Sequence, residues 1–254
     1  MAATLTTTVC STAEVPYLER VRFFPRQLVA PADLTQDQEY FRSKARRHNR
    51  LLHGWGVVAG AGVTLSTDKT ELVIAPGYVL GPYGDEIVID GAVNVPVCTE
   101  DVTGVAATCL GGMDPWCGDV RIDRKPDQPL YLAVKYVECE VRPVRAYPGA
   151  CGCSDADCEY SRIRDGFAAK LLTSLPASYD PMPSPAEDAL ECSDETEDCG
   201  RPLIACPTDP WVILADVQVN SDCTVAEIDC LAHRRFVASF GGFYFQCITD
   251  PDHT

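Results

Sequence analysis

The sequence has no long apolar run and few basic residues for its length. No stretch approaches the ~20 apolar residues that cross a bilayer as a helix. Residues Met1 to Val15 lack the basic start and apolar core of a secretory signal peptide. The 254 residues carry 21 Lys and Arg against 37 Asp and Glu, a formal charge of −16. Because phosphate contacts need clustered cations, we expect no nucleic-acid partner. The missing apolar run and signal peptide lead us to expect no membrane span and synthesis in the cytoplasm.

Catalytic motifs are also missing from the sequence. It contains no G-x-S-x-G nucleophile motif. The glycines of GWGVVAG follow a helical pattern and enter a strand, which reverses the order of a phosphate-binding loop. His48 and His53 are five residues apart, so one helix face does not present both to a metal ion. We therefore expect a protein that is not an enzyme.

One stretch, Asp33 to Asp90, organises the rest of the chain. Its first part predicts a helix, because Asp33 or Thr35 offers an N-cap with a glutamine three residues on, and Gly54 offers a stop. Side chains at three-, four- and seven-residue steps share one face of this helix. They are Leu34, Phe41, Ala45, His48 and Leu52. We expect this face to lie on the strands that follow.

The residues after the helix predict short strands between glycine and proline turns. Glycines within the first strands indicate bulges or close backbone approaches. Ile163 to Leu172 fits either a strand or a helix. The other predicted strands are Val57 to Leu65, Leu72 to Ala75, Ile87 to Ile89, Val93 to Val97, Leu130 to Cys139, Trp211 to Val219 and its hairpin partner Thr224 to Cys230. The predicted fold is α+β, mostly β, with the N-terminal helix packed on an antiparallel β-meander or sandwich and with a Cys-rich irregular insertion.

The same patterns divide the chain into three parts. Residues 1–32 are predicted to form an N-terminal arm, and residues 33–97 the helix plus β-meander. Residues 98–254 are predicted to form a second β unit, with the Cys-rich insertion at about 140–210. The aromatic stretch Phe240 to Phe245 is typical of a core plug.

Basic residues crowd the predicted helix of this acidic chain. They are Arg42, Lys44, Arg46, Arg47 and Arg50. One interpretation is a solvated face whose charges pair with nearby carboxylates. The other is an interface for an acidic neighbour, such as a second copy of the chain.

Half of the 14 cysteines fall between Val134 and Pro207. Within this region CGCSDADC places Cys151, Cys153 and Cys158 in eight residues, a spacing that three ligands of one metal ion require. Zinc is the metal that thiolate clusters usually bind, and Cys139 or Cys199 is a candidate fourth ligand. Disulfides explain the same residues equally well, since spacing does not fix connectivity.

Several segments together resemble a group of bacterial proteins. The resemblance is strongest in FFPRQLVAPADLTQDQEYFRSKARRHNRLLHGWGVVAGAGV and continues in VIAPGYVLGPYGDEIVI, LYLAVKYVECEVRPV, CEYSRIRDGF and WVILADVQV. It spans most of Val21 to Val237. Proteins of this group are associated with phage tails and phage-tail-like contractile injection systems, as baseplate, fibre or other accessory components.

The resemblance implies a non-enzymatic structural subunit at the baseplate or fibre end of a contractile particle. Its expected partners are further copies of the chain and other tail or baseplate proteins, and the particle is expected to act outside the cell after release. A cysteine-stabilised module that binds a cell-surface receptor is the alternative. A thiolate-metal hydrolase is a third, and it requires an open position on a zinc ion with a general base beside it.

Overall fold

An α-helix precedes antiparallel strands in the described part of the chain. The computed structural model describes residues 17–101, 106–107, 119–122, 124–125, 128–145, 158–179 and 206–239. The predicted class, α+β and mostly β, is confirmed. No helix within these ranges is long and apolar enough to cross a membrane. The aromatic stretch predicted to plug the core lies outside the described residues.

The helices and strands follow one another closely. Helix α1 spans Pro31–His48 and continues as a π-helical turn, Asn49–His53; a short 3-10 helix spans Ala177–Tyr179. The strands are β1 Gly56–Gly60, β2 Val63–Leu65, β3 Glu71–Ile74, β4 Gly77–Leu80, β5 Glu86–Ile89, β6 Val93–Pro96, β7 Thr99–Asp101, β8 Ala106–Ala107, β9 Asp119–Arg121, β10 Leu130–Arg145, β11 Cys158–Leu172, β12 Val212–Val219 and β13 Val225–Asp229.

Helix α1 begins earlier than the sequence predicts. Its N-cap is Ala30, whose backbone N–H donates to Asp33 Oδ2 at 2.8 Å. Asp33 therefore acts from inside the first turn, where a carboxylate also favours the positive end of the helix dipole. Pro31 occupies the first helical position, where its missing N–H costs nothing. The predicted stop is confirmed, because Gly54 caps the π-helical turn at φ 72°.

Within the described ranges, antiparallel pairing builds four sheets. Two three-stranded sheets have the orders β1-β4-β5 and β2-β3-β6, and they come from the predicted meander. A five-stranded sheet has the order β13-β12-β10-β11-β8, and β7 pairs with β9. The stretch Ile163 to Leu172, which fits a strand or a helix in sequence, belongs to strand β11. The predicted hairpin of β12 and β13 is confirmed.

A single buried cluster joins the meander to the five-stranded sheet. It contains β3 and β5 side chains such as Leu72 and Ile87, together with Leu132 of β10 and Ile213 of β12. These side chains are completely buried. Residues on both sides of the predicted boundary at 97/98 therefore share one core.

The predicted apolar face of α1 does not lie on the strands. Leu34, Phe41 and Leu52 are 54%, 58% and 69% exposed, and Ala45 and His48 are also exposed. The expectation that this face packs on the meander is wrong. The helix instead approaches the sheets through Arg46, which is its one buried residue. The contact between α1 and the sheets therefore buries an ion-paired arginine instead of apolar side chains.

Residues after β13 return to the first strand and tie it to the five-stranded sheet. Val57 N–H donates to Arg235 O at 2.8 Å, and Val237 N–H donates to Val57 O at 2.9 Å. The Arg234 guanidinium donates to Gly60 O at 2.7 Å and, through another nitrogen, to the carbonyls of Ala61 and Leu214. One cation therefore satisfies carbonyl groups of the meander and of β12 together.

The turn between β2 and β3 makes a testable pH prediction. Asp68 Oδ1 accepts from Ser66 Oγ at 2.6 Å and from Thr70 N–H at 3.3 Å. These hydrogen bonds lower the pKa of Asp68 to about 2, and the one from Ser66 has the largest effect. Because the folded pKa is depressed, the stabilisation is present above the ordinary pKa and is lost as pH falls towards 2.

We expect Ser66→Ala to raise the pKa of Asp68 towards its ordinary value of 3.8. Carboxyl ¹³C chemical shifts followed by NMR across pH 1.5 to 6 measure this change. Asp222 is the internal control, since its pKa is lowered by Thr224 in a different turn. An unchanged Asp68 midpoint in S66A would contradict the assignment.

Candidate functional site

A partly buried ion cluster lies where α1 meets the sheets. We call it the helix–sheet junction, and it comprises Arg42 and Arg46 of α1, Asp85 before β5, and Tyr136 and Glu138 of β10. The sequence folds this way locally because the turn before β5, closed by the hydrogen bond from Gly84 N–H to Gly81 O, brings the α1 backbone close. A Cβ on Gly84 would lie 2.1 Å from Arg46 O, and Gly84 has φ +87°. Glycine is therefore required at this position on two counts.

Arg46 is the centre of the helix–sheet junction. Its Nε donates to Asp85 Oδ1 at 2.5 Å, and one terminal nitrogen lies 3.6 Å from Glu138 Oε1. The guanidinium also lies 5.8 Å from the centre of the Tyr136 ring. Arg46 and Asp85 are 8% and 7% exposed. A buried pair of this kind is costly to break, because either partner alone would be an unpaired charge away from water.

Arg42 and Tyr136 extend the cluster to the surface. Arg42 forms ion pairs with Glu39 one turn earlier and with Glu138 of β10. Tyr136 Oη donates to Asp165 Oδ1 at 2.6 Å and lies 3.3 Å from Glu138 Oε1. Asp165 belongs to β11, so the network links α1, β10 and β11.

Burial controls the protonation of two members of the junction. It raises the pKa of Asp85 above its ordinary value, while the positive charge of Arg46 acts in the opposite direction. Burial also raises the pKa of Tyr136, helped by the carboxylate of Asp165. Tyr136 therefore keeps its proton and remains a hydrogen-bond donor. The arginines of α1 pair with the carboxylates of the sheets, and these pairs can hold the helix in place.

The predicted interface residues have different environments. Arg42 and Arg46 make ion pairs within the chain, and Arg50 donates to Cys206 Sγ. Arg47 is half-buried and Lys44 is exposed, with its Nζ 6.0 Å from the centre of the Tyr40 ring. The carboxylate partners that one interpretation of the basic helix requires are therefore present for Arg42 and Arg46. Buried Arg46, however, is not on a solvated face.

The predicted metal ligands lie mostly beyond the described residues. Cys151, Cys153 and Cys199 fall outside them, and Cys158 opens β11 with a side chain that is not described. Cys139 is buried in β10 and is disulfide-bonded, which is the alternative to metal ligation for this residue. Within the described ranges, no group of three or more His, Cys, Asp or Glu side chains is arranged to hold a metal ion. Zinc binding by Cys151, Cys153 and Cys158 stays a prediction.

A disulfide joins two cysteines that the sequence does not single out. Cys98, after β6, bonds to Cys223 in the turn between β12 and β13, across a sequence separation of 125 residues. The bond ties the end of the meander to the edge hairpin of the five-stranded sheet. The spacing of cysteines offered no indication of this pair, since connectivity depends on the fold.

His233 and Asp216 form a second polar pair. His233 Nδ1 lies 2.6 Å from Asp216 Oδ2, and the Tyr131 ring stands edge-on to the imidazole with centroids 5.5 Å apart. Burial raises the pKa of Asp216, and the hydrogen bond to His233 opposes that change. A carboxylate that orients an imidazole is also found in catalytic triads. Here the neighbour of the imidazole is the perpendicular Tyr131 ring, in the place where a triad has its nucleophile.

Two open grooves border the described surface. One, of about 590 Å³, lies between the segment before α1 and the helix and is lined by residues such as Leu18, Thr35 and Tyr40. The other, of about 420 Å³, lies beside the ends of β11 and β12 and is lined by residues such as Leu172 and Trp211.

Comparison of the sequence with protein families and with curated proteins finds no match.

Proposed function

We propose that this protein is a non-enzymatic structural subunit of a phage-tail-like contractile particle, placed at its baseplate or fibre end. In this role it binds neighbouring subunits through the segment before α1 and through the exposed side of α1. The proposal combines the sequence resemblance with the distribution of exposed apolar side chains.

The observation that carries the proposal is the concentration of exposed apolar side chains at one end of the described chain. Among the described residues, eight of the fifteen large apolar side chains that are exposed lie between residues 17 and 52. They are Tyr17, Phe23, Phe24, Leu28, Val29, Leu34, Phe41 and Leu52. Single exposed apolar residues are ordinary, but a concentration of them marks an interaction surface. A subunit that works by contact needs such a surface.

The rest of the described chain supports a rigid scaffold. The helix–sheet junction fixes α1, Arg234 joins the meander to β12, and the bond between Cys98 and Cys223 spans the sheets. A rigid body that presents an apolar end transmits force between neighbours without rearrangement. The same features do not require a substrate pocket.

A particle assay tests the proposed function. The tagged chain is expressed in the organism that encodes it, contractile particles are purified by density gradient, and the tag is located by immunogold electron microscopy. We expect the tag at one end of the particle. Phe24→Glu combined with Leu28→Glu should reduce incorporation at least about tenfold, because burying a charge in an apolar contact is costly.

Ile163→Glu is the control, since Ile163 is 63% exposed, close to the 59% of Phe24, but lies on β11. It should leave incorporation unchanged. Complete particles that lack the chain would refute the proposed function. Equal incorporation of the double variant and of I163E would refute the proposed contact surface.

A further inference from the structure

The segment before α1, residues 17–29, carries cations that no described side chain neutralises. It contains three arginines, one glutamate and no lysine. Arg20, Arg22 and Arg26 are all exposed, and among the described residues none of them forms an ion pair or a side-chain hydrogen bond. The ion-paired arginines of α1 differ in this respect. The segment therefore offers free positive charge in a protein whose formal charge is −16.

A turn in the middle of this segment is held in one shape. Gln27 N–H donates to Phe24 O at 3.2 Å, and Phe24 N–H donates to Gln27 Oε1 at 3.1 Å. Pro25 restricts its own φ to about −65°, and Arg26 has φ 68°. Glycine or asparagine usually takes a positive φ in turns. Arginine occupies this position at a conformational cost, which favours a role for its side chain.

Exposed apolar side chains accompany the three arginines. Phe23 and Phe24 are 51% and 59% exposed, and Leu28 is 95% exposed. Aromatic residues and arginine are the side chains that are enriched at the centres of protein interfaces, where the aromatic ring enters a pocket. A partner that fits this segment therefore offers an apolar pocket and negative charge together.

We infer that residues 20–28 dock into an apolar pocket rimmed by carboxylates on a different protein of the assembly. All the cations of the segment are arginines, whose planar guanidinium groups match carboxylates with two hydrogen bonds each. This inference deepens the proposed function, on which it rests, by giving the chemistry of the neighbouring surface.

Two other occupants fit the segment less well. A two-fold contact between copies would place three arginines against three arginines, with only Glu19 of each copy to offset them. An anionic lipid surface would attract the segment and repel the rest of the chain, whose formal charge is −16. A local acidic pocket on a protein attracts the arginines without holding the whole chain against a negative surface.

Photocross-linking from the turn tests the inference. Phe24→p-benzoylphenylalanine keeps an aromatic side chain at the centre of the segment. The full chain is expressed in the organism that encodes it, the cells are irradiated before lysis, and the cross-linked peptides are identified by mass spectrometry. We expect one main cross-link, to a different protein, at a site that carries Asp or Glu side chains.

Arg26→Gly separates the side chain from the shape of the turn. Glycine accepts φ 68° without strain, so the turn stays and only the guanidinium is lost. With the chain at limiting expression, the cross-link yield should fall about tenfold, because a charge-assisted hydrogen bond is lost. Arg142→Gly is the matched control, since Arg142 is exposed and has φ 59° but lies on β10. It should leave the yield unchanged.

A charge exchange identifies the paired groups. Arg22→Glu combined with Arg26→Glu should reduce the cross-link yield at least about tenfold, because like charges would then meet. Arginine in place of the carboxylates at the cross-linked site of the neighbour should restore most of the yield. A recovery of this kind, absent when either side is changed alone, shows direct contact between the two sets of charges.

Several results would overturn the inference. They are the absence of any cross-link, a cross-link to lipid or to a second copy, a cross-linked site without carboxylates, and an R26G chain that cross-links as well as the chain with Arg26. Any of these from a chain that is found at one end of the particles refutes the acidic pocket and leaves the proposed function standing. A chain that is missing from complete particles, yet cross-links to an acidic site on another protein, does the reverse.

Discussion

Replacing both Cys98 and Cys223 by alanine is expected to lower the free energy of unfolding by about 4–5 kcal/mol. The bond closes a loop across 125 residues, and its loss frees the unfolded chain. This value is an upper figure, since Cys139 and Cys206 are also disulfide-bonded and already restrict the unfolded state. Urea denaturation under non-reducing conditions, followed by circular dichroism, measures the difference.

Cys230→Ala is the control for this prediction. Cys230 is a free, half-buried cysteine whose Sγ is 3.9 Å from Val63 O. Its replacement should cost less than about 1 kcal/mol, a typical effect of a small change outside the core. If the double variant C98A/C223A loses no more stability than C230A, the bond does not brace the sheets.

The second large effect is expected at Arg46. Arg46→Ala should destabilise the protein by about 3–5 kcal/mol, because it leaves the buried carboxylate of Asp85 without its partner. The loss should be accompanied by release of α1 from the sheets. Hydrogen exchange measured by mass spectrometry should show that R46A accelerates exchange, relative to the wild type, more in α1 than in β10 and β12.

The double variant R46M/D85L separates an unpaired charge from a lost contact. Apolar residues of similar volume often replace a buried ion pair at little cost. The free energy of unfolding of this variant should therefore lie within about 1–2 kcal/mol of the wild-type value. A double variant as unstable as R46A would show that packing, and not the unpaired Asp85, accounts for the loss. A stable R46A would contradict the helix–sheet junction itself.

Short-range patterns predicted the strands well. The apolar run from Trp211 to Val219 forms β12, whose first four residues are all buried, and the alternating residues after Thr224 form its hairpin partner β13. A short apolar run and an alternating run both indicate strands from neighbouring residues alone. The stop at Gly54 is confirmed for a similar reason. A positive φ at that position is a local requirement that glycine meets best.

The orientation of α1 was beyond sequence reasoning. The helix has both an apolar row and a basic side, and the periodicity alone favours burial of the apolar row. The outcome depends on carboxylates that are distant in the chain: Asp85 is 39 residues from Arg46, and Glu138 is 96 residues from Arg42. Only the folded sheet brings these acids to one place, so the basic side of the helix is the one that is held.

The disulfide shows the same limit for cysteine. The dense cysteines between Val134 and Pro207 drew the metal prediction, yet Cys139 and Cys206 of that region are disulfide-bonded. Cys98 and Cys223, which bond to each other, both lie outside it. Sequence density indicates where thiols are close along the chain, whereas bonding depends on which strands become neighbours.

The pairing of Val57 with Phe236 affects how this protein can be made on a ribosome. The first strand emerges roughly 180 residues, or about 10 to 40 s of synthesis, before the segment that bonds to it. Until then the edge of β1 and the carbonyls that Arg234 later caps are exposed in the nascent chain. Chaperone binding during translation is therefore expected to concentrate on β1, and to end once Val237 has left the exit tunnel.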